Sequence, residues 1–144
     1  PPEAIGEIME VIQVQRVLGG TFVPLDVLNF ISSPETTQKR EGLEAKWHES
    51  GKLYGRYLKE RFSDPLNKFK TFLGVMRWDL NEICFTQNGD AISVRCVSTS
   101  LSNEGTRLLS EFLRGAMEAM DFRVLKADCM KGMIIVELMP VGTK

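Results

Sequence analysis

The stretch that decides the fold is residues 82–97, which read EICFTQNGDAISVRCV. Apolar and polar residues alternate on both sides of Asn88-Gly89, the strongest dipeptide signal for a two-residue hairpin, because a type I′ turn needs positive φ at both positions. Pairing around that turn sets Glu82 opposite Arg95, an attractive cross-strand pair. The same register places on one face, which we expect to be buried, Ile83, Phe85, Ile92, Val94 and Cys96.

A second hairpin is predicted at residues 122–140, with Lys131-Gly132 as its turn. Its register sets Lys126 opposite Glu137 and so pairs opposite charges again. The other face is also fairly apolar, which is typical of a central strand pair or of an oligomer interface. The face that we expect to be buried holds Leu125, Ala127, Cys129, Ile134, Val136 and Leu138.

A helix is predicted between the two hairpins. Ser102 or Asn103 is suited to its N-cap, and a wide apolar stripe runs from Leu108 to Met120. We therefore predict an α/β protein of the α+β type. In this fold N-terminal helices pack on an antiparallel sheet of two hairpins, at about 79–99 and 122–140. Because 144 residues is the size of one ordinary domain, residues 1–144 are predicted to form a single domain.

The N-terminal half has helical patterns at residues 24–31, 35–62 and 65–77. Ser33 is a plausible N-cap for the long helix, and Asp64 before a proline is another N-cap signal. Residues within 1–20 are ambiguous, because a β-branched run coincides with the helical spacing of Ile5, Ile8 and Ile12.

Composition excludes several classes of protein. Hydrophobic residues make up 43% and charged residues 26%, which is ordinary globular composition. The net charge of −1 argues against nucleic acid as a partner, since phosphate binding usually needs a basic excess. No apolar run reaches the roughly 18 residues that a transmembrane helix needs. The odd number of cysteines without CxxC spacing favours a reducing compartment, so we expect a cytoplasmic location.

Two kinds of residue are candidates for a site. Gly51 and Gly55 lie one turn apart on the apolar side of the long helix, which indicates that another backbone or a ligand comes close there. Cys129 is either a small buried hydrophobe or a thiol at the mouth of a pocket. Cys84 lies on the more polar strand face, and His48, the single histidine, is expected to be a bystander on a helix surface.

Three short segments resemble the 4-vinyl reductase domain family, which is related to Golgi-transport (TRAPP) subunits and to ligand-binding domains of nitric-oxide sensors. They are residues 48–56 with the two glycines, residues 112–117 with Gly115, and the Cys-x-x-Gly turn at 129–132. The resemblance implies a dimeric fold that encloses an apolar pocket. Lys126 and Val136 depart from the family pattern where Glu and Cys are common, which argues for binding more than for metal chemistry.

These observations lead us to expect a non-enzymatic homodimer that binds a small hydrophobic molecule. Its ligand-binding residues would be Gly51, Gly55 and Cys129, and no cofactor, catalytic residue or metal ligand is assigned. Two alternatives remain open. One is a protein–protein assembly module without a ligand, and the other is an enzyme that uses a cysteine.

Overall fold

The computed structural model describes residues 4–21, 23–34 and 40–142. Five helices and four strands lie in this part of the chain. They are α1 (Ala4–Leu18), α2 (Leu25–Ile31), α3 (Arg40–Arg61), α4 (Pro65–Met76), β1 (Glu82–Asn88), β2 (Ala91–Val97), α5 (Asn103–Ala119), β3 (Phe122–Met130) and β4 (Met133–Pro140). The predicted α+β fold is confirmed. The predicted start of the long helix, at residue 35, lies outside the described residues.

The four strands form one antiparallel sheet in the order β1-β2-β4-β3. The second hairpin has the predicted register, with Lys126 opposite Glu137. The first hairpin does not: Asn88 pairs with Ala91, so the turn is Gly89-Asp90 and the pairing lies two residues away from the prediction. Gly89 has a φ of +62° and Asp90 does not have a positive φ, which is the pattern of a type II′ turn, with glycine at its first central position.

A shift of two residues keeps every side chain of the first hairpin on its predicted face. Val94 and Cys96 are buried, while Glu82, Cys84 and Thr86 are exposed. The predicted Glu82–Arg95 pairing is wrong as a cross-strand register, because Glu82 lies opposite Val97. The two charges still meet diagonally, with Arg95 Nε 3.8 Å from Glu82 Oε1.

The predicted inner face of the second hairpin is correct on β4 and wrong on β3. Ile134, Val136 and Leu138 are buried. On β3 the register shifts between Val124 and Lys126, so Leu125 is the extra residue of a bulge and stays exposed. Ala127 and Cys129 are exposed as well. Because β3 is an edge strand, these positions have a neighbouring strand on one side only.

Side-chain caps define the starts of two helices as the sequence predicts. Asp64 accepts a hydrogen bond from the backbone N–H of Asn67 and starts α4, while Ser102 accepts one from Gly105 and starts α5. Thr106 in the first turn of α5 is fully buried, and its Oγ1 accepts a hydrogen bond from the Gly132 N–H at 2.9 Å. This bond fixes the β3–β4 turn against the start of the helix.

The core has α5 at its centre. One side of α5 lies on β3 and β4, and the other side packs along α3. Phe112 of α5 stands in an aromatic cluster, with ring centroids 5.3 to 6.5 Å from those of Trp47, Tyr54, Phe69 and Phe72. Such edge-on and offset contacts add about 0.5–1.5 kcal/mol each to the burial of apolar area.

The helices α3 and α5 are packed backbone to backbone. A Cβ atom added at Gly51 would stand 2.1 Å from the Phe112 carbonyl oxygen, and one at Gly55 would stand 2.3 Å from that of Ala116. Gly115 of α5 makes the reciprocal contact, 2.1 Å from the carbonyl oxygen of His48. Residues further along α3 contact residues further along α5, so the two helices run in the same direction.

No helix in the described ranges is both long enough and apolar enough to cross a membrane. The longest of them, α3, carries charged residues along its whole length.

Substitution of Gly55 tests the importance of the backbone contact. We expect Gly55→Ala to lower the free energy of unfolding by about 1–3 kcal/mol, because the Ala116 carbonyl cannot give way as a side chain could. Gly74→Ala is the matched control on α4, where an added Cβ would meet nothing within 4 Å. It should stabilise the protein by about 0.5–1 kcal/mol through helix propensity. Urea denaturation measures both, and equal effects of the two substitutions would contradict the close-packing account.

Candidate functional site

Of the predicted ligand-binding residues, Gly51 and Gly55 come together against α5, and Cys129 lies on a different element. Gly51 and Gly55 face the backbone of α5, which occupies the space that a ligand would need there. Cys129 lies on edge strand β3. The close approach of another backbone therefore accounts for both glycines, and a ligand-binding role for the three residues stays a prediction.

The three cysteines have different environments. Cys129 is exposed, so its predicted burial is wrong, although partial desolvation still raises its pKa against the opposing effect of Arg107. Cys84 is exposed, as predicted, and its sulfur lies 3.6 Å from the hydroxyl of Thr86. Cys96 is buried in the core, and this burial raises its pKa to about 12. Burial favours the neutral thiol over the reactive thiolate.

An open cleft of about 490 Å³ lies where α3 meets α5. Five of its seven lining residues are charged side chains, and the sixth is the only histidine of the chain. The lining residues are Glu44, Ala45, His48, Glu49, Lys52, Glu111 and Arg114. The volume falls in the range of small-molecule pockets, but most of the lining side chains are charged, whereas such pockets are usually lined by apolar ones.

His48 stands between two carboxylates of α5. Its Nε2 lies 2.8 Å from Glu118 Oε1, and its Nδ1 lies 3.3 Å from Glu111 Oε1. The second contact is an ion-pair distance without hydrogen-bond alignment, since Nδ1 has no hydrogen-bond partner. A neutral imidazole has one N–H and can donate to only one carboxylate, whereas the imidazolium form faces both favourably.

The cleft therefore contains the charged contact that joins the two central helices. The sequence predicts His48 to be a bystander, but its ring is about four-fifths buried against α5. One signal could have indicated this contact: Glu111 and Glu118 are seven residues apart on a predicted helix, so they lie on one face. The spacing does not say which helix that face meets.

In the part of the chain that the structure describes, no group of three or more His, Cys, Asp and Glu side chains is arranged to hold a metal ion. The carboxylates of the cleft lie beside cations instead. Arg114 Nη1 lies 3.0 Å from Glu111 Oε2, and Lys52 lines the same cleft.

A second candidate surface is the outward side of α1. This helix has two apolar faces. The inward one holds Val11 and Val14, which are buried, and at 100° per residue the opposite one holds Ile5, Ile8, Met9 and Ile12. We call these four residues the α1 stripe. All are exposed, Ile5 at 61% and Met9 at 60%.

The charged residues of α1 explain which way it faces. Lys68 Nζ of α4 lies 3.2 Å from Glu10 Oε1, and the Thr71 hydroxyl donates to Glu7 Oε2 at 3.3 Å. Both acids are thus held by α4, and four large apolar side chains point to solvent. The two apolar faces also explain why the sequence leaves open whether this segment is a helix or a strand. A helix that is apolar on two sides has weak helical periodicity.

No protein-family model matches this chain, and no curated protein matches its sequence either.

Thiol labelling of the native protein tests the cysteine assignments. With a small maleimide at neutral pH we expect Cys84 to react first, Cys129 more slowly because its pKa is raised, and Cys96 only after unfolding. Peptide mass spectrometry of timed samples gives the three rates. If Cys129 reacted faster than Cys84, its thiolate would be activated, and the cysteine-enzyme alternative would gain support.

Proposed function

We propose that this chain is a non-enzymatic assembly domain that works as a homodimer, with the α1 stripe packed against the same stripe of a second copy. The observation that carries the proposal is the second apolar face of α1, which is exposed in the part of the chain that the structure describes. Large apolar patches on soluble domains commonly mark interaction sites, whereas single exposed apolar residues are normal.

The geometry of the stripe suits a contact between identical helices. The spacing of residues 5, 8, 9 and 12 places them along one side of about two turns of helix. A two-fold axis through the middle of the stripe would pair each stripe with itself, so one patch on each copy is enough. The acids Glu7 and Glu10 are engaged with α4, so pairing of the stripes requires neither of them to be desolvated.

The free energy gained by burying the two stripes limits how tightly two copies can associate. Completing the burial of a half-exposed Ile or Met side chain gains about 1 kcal/mol, so eight such side chains in two copies gain roughly 8 kcal/mol. Association costs on the order of 4–15 kcal/mol in lost freedom. The stripes alone therefore support a weak dimer, and a stable one needs more apolar surface, for which the exposed Val23 and Val27 are candidates.

A second candidate function is binding of a small hydrophobic molecule, as the resemblance to the 4-vinyl reductase domain implies. The supporting observation is the same excess of exposed apolar side chains on α1, together with Val23 and Val27 near α2. An interface between two α1 stripes would be an apolar space between copies. A ligand of this kind would bind there more readily than at the polar cleft between α3 and α5.

Sedimentation velocity with two matched variants tests the homodimer. We expect Met9→Lys to weaken self-association at least tenfold, because a lysine within the stripe must be desolvated on pairing. Val17→Lys is the control: it places the same charge at an exposed apolar position of α1 outside the stripe. It should change the dissociation constant by less than threefold. Wild-type protein that stays monomeric at millimolar concentration would contradict the proposal.

Native mass spectrometry tests the second candidate. If a hydrophobic ligand binds between copies, the dimer peak should carry an added mass of one small molecule, which denaturation releases. The Met9→Lys variant should lose the added mass together with the dimer. An added mass retained by the monomeric variant would place the ligand elsewhere, and dimers without added mass would favour assembly without a ligand.

A further inference from the structure

The polar cleft between α3 and α5 holds an unusual concentration of unsatisfied groups. Among the described residues, three buried side-chain atoms have no hydrogen-bond partner: Glu44 Oε1, His48 Nδ1 and Arg114 Nε. All three belong to side chains that line this cleft. An unsatisfied buried polar atom costs about 1–3 kcal/mol, and natural proteins contain few of them. Their concentration at one place makes this cleft a candidate site for a polar ligand.

The order of charges along the cleft indicates the chemistry of that group. Glu44, His48 and Lys52 are spaced by four residues and so lie in a line along α3, with the acid at one end and the base at the other. Because α3 and α5 run in the same direction, Arg114 of α5 lies level with the basic end. Glu44 lies at the other end, with 3.9 Å between its Oε1 and Arg107 Nε.

We propose that this cleft binds a small zwitterion with its amino group towards Glu44 and its carboxylate towards Lys52 and Arg114. Every carboxylate of the cleft has a cation within 4 Å, so ion pairs alone do not distinguish them. Glu44 differs because its buried Oε1 has no hydrogen-bond partner, and Arg114 still has an unpaired Nε beside its contact with Glu111. The two ends of the cleft are thus positions where an added ammonium or carboxylate group would meet a buried polar atom without a hydrogen-bond partner. This site is separate from the α1 stripe.

The separation of the charges sets the size of the ligand. Residues eight apart on a helix are about 12 Å apart along its axis, and the contact of each charge with its partner takes up about 3 Å of that length. Amino and carboxylate groups separated by about five bonds or more match this span, whereas those of glycine are too close together. The open mouth of the cleft leaves the ligand partly solvated, so we expect dissociation constants on the order of millimolar.

Amide NMR titrations with three related compounds test the proposal. The probes are 5-aminopentanoate, pentanoate and pentylammonium, which share a chain length and differ in charge. We expect saturable shifts around residues 44–52 and 111–114 with 5-aminopentanoate, at least tenfold tighter than with either singly charged compound. Equal affinities for all three would show general ion binding. The absence of saturable shifts up to about 50 mM would show a cleft filled by water alone, and either result would overturn the proposal.

Three substitutions on α3 locate the binding. Glu44→Gln and Lys52→Gln each remove one end charge, and each should weaken binding of 5-aminopentanoate at least fivefold. Arg56→Gln is the control, since Arg56 is an exposed cation one turn beyond Lys52 that does not line the cleft. It should change binding by less than twofold. Equal loss in all three variants would show that binding does not depend on the two ends of the cleft and would contradict a site there.

Discussion

The close contact between α3 and α5 is the constraint on which the rest of the structure depends. Three glycines, two on α3 and one on α5, let the helix backbones touch where any side chain would collide with a carbonyl oxygen. This approach brings Tyr54 and Trp47 of α3 onto Phe112, so the aromatic cluster forms around α5. It also places α5 between α3 and the sheet, with its other side on β3 and β4.

The contact between α3 and α5 also determines where the protein exposes charged and apolar surfaces. Because backbones meet along the glycine line, the longer side chains of both helices are displaced to its edge, where His48 faces Glu111 and Glu118. The helix α1 lies outside this centre and buries only one of its two apolar faces, mainly against α4. The protein thus has a charged cleft beside its most tightly packed helices and an apolar surface on its most peripheral one. We propose a different partner for each surface, a small zwitterion for the cleft and a second copy of the chain for α1.

The sequence predicts local features well, but it predicts poorly which helices and strands lie next to each other. Alternating side chains give the faces of the first hairpin correctly, and Asp64 and Ser102 cap helices as expected, because each depends on residues close in the chain. The turn at Asn88-Gly89 is off by one residue because a type II′ turn at Gly89-Asp90 competes with type I′ for the same glycine. Cys129 is exposed because β3 is an edge strand, and strand order cannot be read from alternation. Likewise, the partner of His48 depends on which helix α3 meets.

The central functional claim is that α1 meets α1 of a second copy. The most direct measurement is an isotope-filtered NOE experiment on a mixed sample, in which one population carries labelled isoleucine methyl groups and the other labelled methionine methyl groups. The account predicts intermolecular NOEs from Ile5, Ile8 and Ile12 of one copy to Met9 of the other. Intermolecular NOEs confined to other methyl groups, such as those of Met130 or Met133 at the β3–β4 turn, would contradict it and would place the interface on the sheet.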